Sequence, residues 1–183
     1  MAAIIKAFKG VSPRIHETAF IADGAVVIGD VEIGPESSVW YGCVIRGDVN
    51  RIRIGARTNI QDGSIIHCNH DPKGDYRETG GGMPTLIGDG ITIGHMALLH
   101  ACTLEDGSFV GMRAVVMDQA VVQEGAMLAA GALLTPRKVV ESGTLWAGSP
   151  ARHARALTEA ERGFLPYSAA NYAKLAAAHK QAS

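Results

Sequence analysis

Aromatic side chains are scarce in this chain of 183 residues: Phe, Trp and Tyr make up 5% of it, which suits a narrow interior filled by ladders of Ile, Leu and Val. Cysteine is scarce too. Cys43, Cys68 and Cys102 are an odd number at no zinc-finger spacing, which excludes a disulfide framework and points to reduced thiols. Excess charge of either sign is missing. Seventeen Lys and Arg against 18 Asp and Glu leave a formal net charge of -1, which gives no reason to expect a nucleic-acid or anionic-membrane partner. No apolar run approaches the roughly 18 residues that a transmembrane helix needs. The opening MAAIIKAFKG lacks the apolar core and cleavage site of a signal peptide. The expectation is a soluble, cytoplasmic protein.

What the chain does have is a period of six. Ile21, Val27, Ile33, Val39 and Ile45 keep that spacing, and after an offset of three Ile54, Ile60 and Ile66 resume it. A second run holds Ile87, Ile93 and Leu99, then, one residue short, continues from Leu104 through Val110, Val116, Val122, Leu128 and Leu134 to Val140. Helices and hairpins do not keep such a period. Glycine often follows the aliphatic residue, as at Gly94 and Gly111, marking corners where a side chain would be in the way. Four places after it the residue is usually small: Ala25, Ser37, Cys43, Thr58, Ser64, Ala97, Thr103. Short strands, each with one large and one small inward residue, make a coil of flat faces stacked on itself.

This pattern resembles the hexapeptide-repeat, left-handed parallel β-helix, an all-β solenoid in which three six-residue faces form a triangular coil of about 18 residues. The handedness comes from the resemblance, since parallel crossovers are otherwise right-handed. Residues 1–150 are read as the β-helix, with 69–85, rich in glycine and mixed charge, as an excursion from the coil. Residues 151–183 are read as a C-terminal helical segment packing on it. Thr158 and Glu161 form a capping box for an α-helix running to about residue 180. Pro166 is expected to kink or split that helix, and Leu165, Tyr172 and Leu175 to face the β-helix.

The register carries chemistry. With Leu99 stacked over Ile66 and Ile93 over Ile60, His67 and His100 point outward from one face on neighbouring coils, about 4.8 Å apart. Arg46 lies below them. His95 sits at a corner of a different face, one coil above Asp62, so one chain does not easily bring three rings to one ion; a neighbouring copy can. Three neutral imidazoles leave a fourth position for water on zinc, the arrangement of a catalytic site, and such an ion makes hydroxide available near neutral pH.

Arg46-Gly47-Asp48, Asn59 to Gly63, Ser64 to His67 and Ile93 to His100 together resemble the gamma-class carbonic anhydrases, over nearly the whole chain. The resemblance implies a homotrimer with Zn2+, or alternatively Fe2+ or Co2+, held between subunits by His67, His95 and His100. Its reaction is reversible hydration of carbon dioxide to bicarbonate by a metal-bound hydroxide. Arg46 and Asp48 then belong to an interface network, and Gln61 and Asp62 to the pocket, with Tyr172 a further candidate. Gln61 can orient a hydroxide, and Arg46 and Asp62 can pair across the interface. One departure concerns the proton: Val49 stands where archetypal members carry a glutamate, which leaves His70 on the excursion as the candidate shuttle. Cys68 sits at a corner and is not needed as a ligand. Three other readings stay open: a metal-dependent hydrolase of another carbonyl such as an acyl-CoA thioester, a hexapeptide-repeat acyltransferase, and a non-catalytic assembly subunit.

Overall fold

The structure is a computed structural model that describes residues 2–182. It is a parallel β-solenoid of about eight turns followed by one C-terminal helix. Three stacks of inward aliphatic side chains run its length. One passes from Val27 through Ile45, Ile66, Leu99 and Val116 to Leu134. The second runs from Ile33 through Ile54, Ile87, Leu104 and Val122 to Val140, and the third from Ile21 through Val39, Ile60, Ile93, Val110 and Leu128 to Trp146. Nearly all of these side chains are buried. Each fully buried one contributes about 1.5–3 kcal/mol relative to exposure, so aliphatic side chains carry the prism and Trp146 closes one stack.

The corners explain the glycines. A Cβ on Gly94 would lie 2.6 Å from the backbone nitrogen of Met112, so only hydrogen fits where successive coils touch. Ala25, Ser37, Cys43, Thr58, Ser64 and Ala97 are buried as expected, but Thr103 is only half-buried. The coil is one residue short between Leu99 and Leu104, and the inward small residue there is Cys102. All three thiols are buried, and burial pushes Cys43 and Cys68 up to about 11. Cys68 lies inward against the carbonyl of Asn50, at 3.1 Å.

Two strands, Val26–Ile33 and Val44–Ile54, continue through a corner instead of stopping at it. Above them the excursion leaves the coil and is closed at its base by paired backbone hydrogen bonds between Asn69 and Met83, 2.8 and 3.0 Å. It contains a short helix, Tyr76–Thr79, N-capped by Asp75, and the Tyr76 hydroxyl donates to Asp30 at 2.5 Å, tying the excursion back to the coil.

The C-terminal part differs from expectation in two places, Ala151–Ala156 and Leu175. Residues 151–156, read as part of the helical segment, form a strand, Ala151–Ala156, which pairs antiparallel with Thr144–Gly148 and covers an otherwise open sheet edge. The helix, Glu159–Ala182, begins with the predicted box: Thr158 N donates to Glu161 at 2.8 Å and Glu161 N to the Thr158 hydroxyl at 3.2 Å. Pro166 does not split it. Its ring has no N–H to give the ladder, and the buried Leu165 and Ala169 on either side hold both halves on the solenoid. Leu175 does not face the β-helix and is 42% exposed; the inward stripe is Leu165, Ala169, Tyr172 and Ala176. Tyr172 meets Trp40 edge-on at 5.7 Å. Among the described residues no helix is long and apolar enough to cross a membrane.

Candidate metal centre

Strands Ile65–His67 and Leu98–His100 are adjacent and in register, with Leu99 over Ile66 and His100 over His67. The inward aliphatic residue fixes the pleat, so the next residue on each strand must point out. The rings therefore stand side by side, with centroids 5.2 Å apart. Arg46 pairs with His67 in the coil below.

Each ring has one nitrogen committed to a carboxylate. His67 Nε2 lies 2.9 Å from Asp48 Oδ1, and His100 Nδ1 lies 2.6 Å from Asp118 Oδ1. Arg46 Nη1 donates to the other oxygen of Asp48 at 2.5 Å. Asn69 Nδ2 donates to the other oxygen of Asp118 at 2.8 Å. Burial works against the charge on Asp48, but the hydrogen bonds from His67 and Arg46 outweigh it and hold the carboxyl below its ordinary range. Burial likewise opposes the charge on Asp118, and His100 and Asn69 outweigh it. Burial lowers the His67 imidazole below its ordinary value, and the hydrogen bond to Asp48 only partly offsets that. His67 is thus neutral near pH 7.

The two remaining nitrogens, His67 Nδ1 and His100 Nε2, face each other at 3.2 Å. With the outer nitrogens donating to carboxylates, a neutral ring keeps only a lone pair on its inner one. At this distance the two nitrogens either share a proton or turn both lone pairs toward one cation beside them. Nitrogens bound to one tetrahedral zinc at 2.0–2.1 Å are about 3.3 Å apart, so the pair fits two ligand positions. The carboxylates behind them are the outer partners that such ligands use to fix tautomer and orientation.

His95 follows Ile93, which stacks over Ile60, and it does not join the other two in this chain. Its Nδ1 lies 2.9 Å from Asp62 Oδ2, both side chains being about two-fifths exposed. Among the described residues no group of three His, Cys, Asp or Glu side chains is placed to hold a metal ion. Within one chain Arg46 is paired with Asp48 and Asp62 with His95, so Arg46 and Asp62 do not meet each other.

Gln61, His95, Ser168 and Tyr172 line one cavity of about 480 Å³, walled by Phe109, Met127 and Phe164. Gln61 is buried, and its amide donates to Asn59 Oδ1 at 3.1 Å, which leaves its oxygen free to accept. Asn59 donates in turn to Thr92, and Thr92 shares a 2.9 Å hydrogen bond with Ser168, so the C-terminal helix helps fix Gln61. Burial, and behind it the charge of Asp62, raises the Tyr172 phenol above its ordinary value. His70 is exposed and lines a separate cavity of about 370 Å³ together with Asp48 and Val49. Val49 packs against the core.

Sequence reasoning missed Asp118, Asn69, Thr92 and Ser168. For Asp118 a signal exists: the coil here is 17 residues, Leu99 stacking under Val116, and Asp118 comes two residues after Val116, beside the coil position above His100.

A family model described as bacterial transferase hexapeptide (six repeats) matches residues 12–47. Gamma carbonic anhydrase 1, mitochondrial, from Arabidopsis thaliana is 49% identical over 92% of this chain and 59% of its own length. The chain spans about three fifths of that relative and of two further Arabidopsis gamma carbonic anhydrases. A carbonic anhydrase from Geobacillus kaustophilus is 42% identical over 85% of this chain and 80% of its own length. Among solved structures, a hexapeptide transferase family protein from Anaplasma phagocytophilum has 50% identity and a TM-score of 0.86, covering 94% of this chain and 96% of that one.

Proposed function

The chain belongs to the gamma-class carbonic anhydrase family, and on that premise we propose that it catalyses the reversible hydration of carbon dioxide at sites shared between the subunits of a homotrimer. His67 and His100 of one subunit and His95 of its neighbour would hold a divalent ion, zinc, iron or cobalt. The single observation that carries this reading is the pair of imidazole nitrogens, His67 Nδ1 and His100 Nε2, facing each other at 3.2 Å, with the other nitrogen of each ring at a carboxylate. When bound, such an ion supplies the acidity that makes hydroxide available from water near neutral pH.

The chain's own side chains account for the remaining demands. Asp48, Asp62 and Asp118 each stand at one nitrogen of a candidate ligand, which selects the tautomer with its proton there and its lone pair on the other nitrogen. Gln61, fixed through Asn59, offers its oxygen to the hydrogen of the attacking oxygen and so orients that oxygen's lone pair toward carbon. Tyr172 keeps its proton at neutral pH and can donate to the bicarbonate product from the same cavity. The apolar wall of Phe109 and Phe164 suits an uncharged substrate. Each hydration releases one proton; His70, which shares a cavity with Asp48, would pass it to buffer. Arg46, half-exposed and anchored on Asp48, is offered to the subunit boundary. A cytoplasmic location belongs to this reading.

One observation favours a second reading, acyl transfer: the similar Anaplasma phagocytophilum protein is of the hexapeptide transferase family. The experiment that separates the two is direct. Protein purified anaerobically and loaded with zinc or iron should hydrate carbon dioxide faster than it hydrolyses or transfers acyl groups from a coenzyme A thioester. Thioester turnover that needs no metal, with no carbon dioxide hydration, would sink the proposal.

A further inference from the structure

Building on the reading of His100 as a metal ligand, we propose that Asp118 is the positioning residue that fixes the His100 ring and that Asn69 ties this pair to the excursion. Both oxygens of Asp118 are committed, Oδ1 to His100 Nδ1 at 2.6 Å and Oδ2 to Asn69 Nδ2 at 2.8 Å. Its backbone is committed as well, since Arg137 N donates to the Asp118 carbonyl at 3.0 Å from the coil above. Asn69 is equally constrained. Its N–H and C=O pair with Met83, its carbonyl also accepts from Asn50 Nδ2 at 3.2 Å, and a Cβ on Gly82 would lie 2.9 Å from that carbonyl. The base of the excursion, the carboxylate and the ring therefore form one chain of contacts with no slack.

His100 needs such a clamp. Its side chain is one-third exposed, and without an acceptor at Nδ1 the neutral ring is free to carry its proton on Nε2, where the site requires a lone pair. His67 provides an internal control, because its own partner is Asp48 and Asp118 does not touch it.

The test reads ring tautomers in the metal-free, nitrogen-15-labelled full chain, then zinc affinity by competition with a chelator. Wild-type His100 should show a single tautomer protonated on Nδ1. Asp118→Ala should give a mixture at His100 and no change at His67, and should lower zinc affinity about 10–100-fold. Asp118→Asn, whose amide oxygen still accepts, should recover part of that loss. Asn69→Ala should shift both readouts the same way to a smaller extent, and the double variant Asn69→Ala/Asp118→Ala should be no worse than Asp118→Ala alone. If Asp118→Ala does not fold, Asn69→Ala carries the test. An unchanged His100 tautomer with unchanged zinc affinity overturns the proposal. A wild-type chain that binds no zinc overturns the metal reading instead, while the tautomer spectra still decide the role of Asp118.

Discussion

Two substitutions that each destroy the site alone should restore part of it together. A His95→Ala subunit keeps His67 and His100, stacked on one face, while a His67→Ala subunit keeps His95 at its corner. In the proposed trimer every site takes the face of one subunit and the corner of the next. With equal, random mixing, the first variant supplies the face with probability one half and the second supplies the corner with probability one half, so about one quarter of the boundaries recover all three imidazoles. Trimers of either variant alone hold two imidazoles per site and should bind zinc far more weakly. Co-refolded variants carrying different affinity tags allow mixed trimers to be isolated, and their metal content and carbon dioxide hydration measured by elemental analysis and stopped flow. Averaged over the unfractionated mixture, both should return to about one quarter of the wild-type value. Mixed trimers that bind no more metal than either parent would show that each site lies within one chain, and would refute the face-and-corner argument.

Leu99 lies fully buried between Ile66 and Val116, and Leu99→Ala should cost about 2–5 kcal/mol in urea denaturation; a cost below about 1 kcal/mol would mean that the stack is not the load on which the solenoid rests. Glu161 is held down to about 2 by the Arg155 guanidinium and by Thr158. A carboxyl depressed in the folded state stabilises it above the unfolded value of about 4.3, and that stability is lost as pH falls toward about 2. Helix content followed by circular dichroism should thus fall across that window, and Glu161→Gln should flatten its share of the fall; a wild-type helix that strengthens on acidification contradicts the sign. Because Val49 packs on the core and brings no acid, turnover in dilute buffer should rise with added imidazole, and His70→Ala should slow turnover only in dilute buffer. Turnover indifferent to both would place the proton path elsewhere.

The stacking of Leu99 over Ile66 was legible in the sequence because a six-residue period with one aliphatic residue per strand fixes which side chains enter the prism, and the outward direction of His67 and His100 follows from it. The separation of His95 was legible for the same reason. Asp118 needed the shortened, 17-residue coil to be followed upward from Leu99 to Val116 and then two residues further, and nothing in the histidine pattern itself prompts that step. Ala151–Ala156 was not legible, because a strand that covers a sheet edge needs no apolar alternation of its own. Leu175 shows the limit of composition on a helix: the inward stripe is set by Leu165, Ala169, Tyr172 and Ala176, and a larger side chain off that stripe stays in solvent.

The central claim, that one ion is shared between neighbouring subunits, is tested most directly by native mass spectrometry of the zinc-loaded full chain. The account predicts a trimer carrying three ions, and a His95→Ala protein that is still a trimer and carries none. A monomer that holds an ion, or a His95→Ala trimer that retains all three, would contradict it.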